Sequence, residues 1–163
     1  MGRTLTDLHP DDHTTAMDAI EGYAVAIDMT ARNIQDECKR KGLPWTTAKG
    51  FDTFLPVSRF IEKERVKDPH DVELWLDVGK RERQRDSTGL MLFRVPRLLS
   101  EISRVMRLEK GDVVCTGTPK GVGNVEAGEV MRAGVRVGGK ELEDGRIEVA
   151  VEEGKGNFVY QET

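Results

Sequence analysis

Residues 22–49 read GYAVAIDMTARNIQDECKRKGLPWTTAK, and the hydrophobic pattern in them passes from the period of a strand to that of a helix. Gly22 to Ile27 is apolar, carries the β-branched Val25 and Ile27 and has no charge, so it reads as a buried strand. Asp28 falls at the mouth of that strand. Ala31 to Lys41 reads as a helix, with Thr30 as its N-cap, a basic last turn and Gly42 as a left-handed stop. Arg32 and Gln35 are three apart on this helix and share a face. One carboxylate, one guanidinium, one amide and the ammonium of Lys49 are thereby aimed at a common point. Two readings follow. In one, Asp28 is a divalent-metal ligand, and Arg32, Gln35 and Lys49 hold an anionic, oxygen-rich substrate beside the ion. In the other, Asp28 makes an ordinary local cap or salt bridge.

A second segment bears on the choice. Val113 to Lys120, VVCTGTPK, followed by Gly121-Val122-Gly123, reads as a short apolar strand entering a turn rich in Gly and Thr. Such a turn offers backbone N–H groups, the Thr118 hydroxyl and Lys120 to an anion. It lacks the spacing of a Walker loop. The alternative is a tight turn between two strands.

Elsewhere the pattern is that of scaffold. In Glu73 to Val78, Leu74, Leu76 and Val78 share one face and Trp75 points the other way. Gly79-Lys80 suits a two-residue hairpin turn into RERQR, which places Arg81, Arg83 and Arg85 on one face of a solvated edge strand. Around Pro96 a helix begins whose apolar stripe is Leu98, Leu99, Ile102, Val105 and Met106. Near the C-terminus, Gly-Gly and Asp-Gly turn signals join β-rich runs in which Ile147, Val149 and Val151 alternate. Trp45 either walls a cleft or plugs the sheet. Phe158 and Tyr160, in a weak tail, either fray or dock on a partner.

The 163 residues suffice for one domain with a real core, spanning 1–163. A formal charge of −4 argues against a nucleic-acid partner. No apolar run approaches the length of a membrane span, and the start MGRTLTDLHPDD shows neither a secretory signal nor a presequence. The expected compartment is intracellular, mitochondrial or cytoplasmic. Cys38 and Cys115 do not make a disulfide framework and read as reduced thiols; a nucleophilic Cys115 has no His close in sequence. His9 and His13 could pair on a helix as transition-metal ligands, but Pro10 and the turn formers around them favour a solvated loop. His70, after Asp68-Pro69, reads as a turn residue.

Together and in this order, IDMTARNIQDECKRKGLPWTTAKGF, TGTPKGVG and AGVRVGGKELEDGRIEVAVEE resemble the fumarylacetoacetate hydrolase superfamily, nearest its acylpyruvate hydrolase and oxaloacetate decarboxylase branch. The resemblance runs from about Met1 to about Glu153. It implies an α+β, mostly β fold, a roll of mixed β-sheet of the C-terminal type with two main helices. It also implies a homodimer that uses Mg²⁺ or Mn²⁺ to cleave C–C bonds in 2-oxo or β-dicarbonyl acids. Matched residue by residue, Asp28 corresponds to a metal ligand, Arg32, Gln35 and Thr118 to substrate contacts, and Lys49 to the catalytic group that steadies the enolate or oxyanion. The family supplies two more metal carboxylates from a Glu-x-Glu strand, and a His with a nearby Glu for proton transfer, from a region ahead of the part that aligns with Met1. No Glu-x-Glu precedes Asp28 here. The expectation is therefore a chain lacking that N-terminal part and impaired in catalysis. Oxaloacetate tautomerase or related isomerase work on the same enolate, and a non-catalytic dimerising or ligand-binding remnant, are the alternatives.

Overall fold

The structure, a computed structural model, describes residues 1–161. In chain order its elements are α1 (His13–Asp18), β1 (Gly22–Tyr23), α2 (Arg32–Lys41), α3 (Thr46–Lys49), β2 (Ile61–Glu62), β3 (Val72–Val78), β4 (Arg81–Ser87), α4 (Val95–Val105), β5 (Val130–Val137), β6 (Lys140–Glu141) and β7 (Ile147–Ala150). It is an α+β fold, as expected, arranged round one antiparallel sheet with the order β4-β3-β5-β6; β7 also pairs with β5, and β1 and β2 form a separate ribbon. The long helices are α2 and α4. Gly79-Lys80 and Gly138-Gly139 close two-residue hairpins, all three glycines at positive φ. Asp144-Gly145 instead lies in a single 3₁₀ turn, Glu143–Gly145, before the alternating strand β7.

The structure corrects the sequence reading at the Gly22–Ile27 run, at the start of α2, on α4 and in β4. The buried strand expected over Gly22–Ile27 is a short β1 followed by an extended, half-exposed run, with Ala24 and Ala26 open to solvent. This run pairs on one side only, through Ile27 N–H to Pro56 O at 2.9 Å, Met29 N–H to Phe54 O at 2.9 Å and Ser58 N–H to Val25 O at 2.9 Å. Pro56 has no N–H to return, so a continuous ladder cannot form. Thr30 does not cap α2; Ala31 holds the N-cap position without a side-chain bond, while Gly42 ends the helix in the left-handed region as expected.

In α4 the core face is Val95, Leu99 and Ile102 with Ser100 and Ser103, whereas Val105 and Met106 are exposed. The two serines account for the rotation. Ser100 Oγ donates to Leu8 O at 2.8 Å, and Ser103 Oγ accepts from Leu8 N–H at 3.1 Å. Small hydroxyl side chains let the helix lie directly on the N-terminal segment and satisfy its backbone, which an aliphatic residue could not do. Leu5, Leu8, Ala16, Ala19, Ile20 and Leu108 complete this core.

A further correction concerns β4. Leu76 pairs with Gln84 but Asp77 with Glu82, so Arg83 is the extra residue of a β-bulge. The bulge breaks the common face of Arg81, Arg83 and Arg85. Arg85 turns to the outer face, where it bonds Glu73 at 2.8 Å and Glu82 at 2.6 Å. Trp75 lies on that face too, buried and donating to Glu141 Oε1 at 2.9 Å.

His70 proves more than a turn residue. Its Nε2 accepts the Val95 N–H at 2.9 Å, capping α4, while Nδ1 sits 3.1 Å from Asp68 Oδ1. These two bonds assign the proton to Nδ1. The His70 backbone N–H, and then the ring, hold the Asp68 carboxyl below its usual range.

Candidate functional site

The sheet, the Gly22–Thr30 run and the segment from Val113 to Val125 enclose a cleft of about 1260 Å³, and Asp28, Arg32, Gln35, Lys49 and Thr118 all line it. The α2–α3 lobe sets four of these. Ala31 N–H donates to Ala48 O at 2.9 Å, tying the start of α2 to the end of α3, and Ile34, Cys38 and Ala48 pack behind it. Lys49, the last residue of α3, donates from Nζ to Asp28 Oδ2 at 2.5 Å. Arg32 Nη1 donates to Gln35 Oε1 at 2.8 Å, and Gln35 is buried at 4% exposure. A buried amide thus pins a guanidinium, and an open carboxylate pins an ammonium. The arrangement presents two cations to the cleft, one planar and suited to a carboxylate, the other a point charge suited to a single oxyanion.

The tail packs on this lobe. Phe158 meets Phe51 edge to face at 5.1 Å, and Tyr160 donates to Glu37 Oε2 at 2.9 Å. Trp45 neither walls the cleft nor plugs the sheet: it lies outside, 45% exposed, with Lys39 Nζ 5.6 Å from its ring centroid.

Thr118 comes from the other side. The strand expected over Val113–Lys120 is absent, since Gly117 and Gly121 at positive φ and the donorless Pro119 exclude regular pairing. No bond joins Thr118 to the other four residues among those described. Its tether is Gln84, whose Nε2 donates to Thr118 Oγ1 at 2.9 Å and to Pro119 O at 2.7 Å. Arg83 Nη2 donates to Asn124 O at 2.7 Å. Sequence reasoning missed both residues because the bulge that aims them cannot be seen in RERQR. The available signal was the density of glycine in GVG, which points to close backbone approach.

Cys115 is exposed and lines the cleft. His9 lies in a solvated turn with Asp11, and His13 opens the short α1.

The donor set does not fit a retained Mg²⁺ or Mn²⁺. Among the described residues no three His, Cys, Asp or Glu side chains gather as a metal site, and the one carboxylate of the cluster is taken by Lys49. Hard divalent cations need several oxygen ligands at once. Titration of the chain with MnCl₂ by calorimetry is therefore expected to show no saturable site tighter than about 1 mM, weaker than multi-carboxylate sites. A stoichiometric site in the micromolar range would show that donors outside this cluster converge on Asp28.

The profile of the family described as Fumarylacetoacetate (FAA) hydrolase C-terminal matches residues 1–151. Oxaloacetate tautomerase FAHD1, mitochondrial, of Bos taurus is 52% identical over 120 residues, which cover 74% of this chain and 54% of that protein. Oxaloacetate decarboxylase, mitochondrial, of Dictyostelium discoideum is 48% identical over 124 residues, 76% of this chain and 57% of that one. The crystal structure of fumarylpyruvate hydrolase from Pseudomonas aeruginosa in complex with Mn²⁺ and pyruvate superposes with a TM-score of 0.83 at 32% identity, over 93% of this chain and 61% of that one. The chain spans about half the length of the curated relatives it matches.

Proposed function

The chain belongs to the fumarylacetoacetate hydrolase family, and on that footing we propose that its cleft binds a small 2-oxo acid of the oxaloacetate type and favours the enolate of that acid. The observation that carries this reading is the pair of pinned cations, Arg32 on Gln35 and Lys49 on Asp28, lining one cleft. Arg32 meets a substrate carboxylate in a fork that Gln35 keeps rigid. Lys49 faces the carbonyl oxygen that becomes negative. When the C–H bond beside the carbonyl breaks, its electron pair moves to that oxygen, and a fixed ammonium there stabilises the charge without reorganisation. Return of the proton to carbon or to oxygen completes tautomerisation. If the C–C bond to the distal carboxylate breaks instead, CO₂ leaves, the same oxygen takes the electron pair and carbon then takes a proton from water. In an acylpyruvate, water adds to the distal carbonyl and the cleaved bond leaves its pair in the same place. Arg32, Lys49 and Thr118 have the same duties in all three.

The names of the relatives support both of the first two outcomes, tautomerase for the Bos taurus protein and decarboxylase for that of Dictyostelium discoideum. Mitochondrial residence, which the names of both relatives carry, is part of the proposal for this chain. Mn²⁺ in the Pseudomonas aeruginosa structure supports divalent-metal use by the family; given the donor set found here, no step is assigned to an ion. The test is to mix the chain with enol oxaloacetate and follow enol loss and pyruvate release together. Enol loss without pyruvate supports tautomerisation, and pyruvate release supports cleavage. Neither, at saturating oxaloacetate, overturns the enzymatic reading in favour of a ligand-binding protein, in which oxalate binds without turnover.

A further inference from the structure

From Val113 to Val125 no backbone N–H finds an acceptor among the described residues, so this segment is not held by secondary structure. The polar bonds that hold it come from β4. Gln84 Nε2 reaches Thr118 Oγ1 at 2.9 Å, Pro119 O at 2.7 Å and Lys120 O at 3.3 Å; Arg83 Nη2 reaches Asn124 O at 2.7 Å. Lys120 Nζ adds an exposed ion pair with Asp86 at 3.8 Å. The fit is close. A Cβ at Gly121, whose φ is +100°, would overlap the Arg83 carbonyl, and one at Gly123 would lie 2.8 Å from Arg83 Nη1.

The polarity of this anchorage has a chemical consequence. Carbonyl oxygens only accept, so Pro119 O and Lys120 O oblige the amide of Gln84 to present its NH₂ group. The same NH₂ donates to Thr118 Oγ1, which fills an acceptor position on that hydroxyl and leaves its proton free. Building on the oxo-acid reading above, we infer that Gln84 is a positioning residue that fixes Thr118 as a hydrogen-bond donor to the cleft. The site thereby offers a fixed donor to a ligand acceptor there, such as a carboxylate or enolate oxygen. Gln84 acts here through Thr118, and the bulge at Arg83 is what turns it to the cleft side.

The test uses oxalate as probe, titrated by calorimetry into the full chain. Gln84→Glu keeps shape but sets a carboxylate against the carbonyl oxygens of Pro119 and Lys120, and Thr118 then donates to it instead of to the ligand. Affinity for oxalate is expected to fall at least tenfold while the thermal midpoint stays within a degree or two of wild type. The deficit relative to wild type should narrow as pH falls toward about 4, where a protonated carboxyl can again donate. Thr118→Val should show a comparable loss, and Gln84→Glu should add little on top of it. Wild-type affinity in Gln84→Glu, a deficit independent of pH, or simple additivity of the two substitutions would overturn the assignment of Gln84 alone. Failure of the wild-type chain to bind oxalate at all would overturn the oxo-acid reading and this inference with it.

Discussion

On the proposed oxo-acid reading, Lys49→Ala is expected to lower conversion of enol oxaloacetate by about 100- to 1000-fold, the loss expected when one preorganised partner of a developing oxyanion is removed, or about 3–4 kcal/mol of barrier. The fold should survive. The pair of Lys49 with Asp28 is partly exposed, at 31% and 52%, and surface pairs of this kind contribute about 0–1 kcal/mol to stability. Lys49→Arg keeps the charge but replaces a point donor with a planar fork, so it should recover only part of the loss. Stopped-flow kinetics alongside thermal melting check this. Activity within threefold of wild type in Lys49→Ala, with an unchanged melting midpoint, would remove Lys49 from the chemistry. The substitution also frees the Asp28 carboxylate, so binding of Mn²⁺, if any appears, should strengthen in Lys49→Ala.

The second large effect concerns the core. Leu99 is 2% exposed between α4, α1 and the N-terminal segment. Its truncation to Ala removes apolar burial and leaves a void that the serine-anchored backbone at Leu8 does not fill, at a cost of about 2–5 kcal/mol. For a chain of this size that amounts to a melting midpoint lower by roughly 10 °C. Val105→Ala, on the same helix at 82% exposure, should change stability by less than about 0.5 kcal/mol. Equal losses at both positions would mean that the helix presents a different face to the core.

That contrast shows how far the sequence was informative. The 3.6-residue pattern found α4, but a hydrophobic scale cannot foresee that Ser100 and Ser103 are buried because their hydroxyls bond the backbone of Leu8. Likewise the switch from strand to helix over residues 22–49 anticipated that Asp28, Arg32, Gln35 and Lys49 line one cleft, since each step there is local in the chain. The hairpins were legible for the same reason. What escaped were long-range devices. The bulge at Arg83 depends on the pairing of β4 with β3, and the anchorage of Thr118 by Gln84 spans two distant segments. The role of His70 as a cap for α4 likewise joins groups 25 positions apart. The fumarylacetoacetate hydrolase resemblance, carried by three quoted stretches, reached the fold and the family, both now established by the match over residues 1–151. The catalytic roles rest on the proposal above.

The half-exposed run after β1 has a practical side. The amides of Ala24, Ala26 and Asp28 have no acceptor among the described residues, and Leu55, Val57 and Phe60 stand 44–51% exposed on the neighbouring run. A row of unsatisfied donors beside greasy side chains is a template on which further copies can stack as the sample is concentrated. The exposed charges of Asp28 and Arg59 and the donorless Pro56 interrupt it, and purification is best kept dilute.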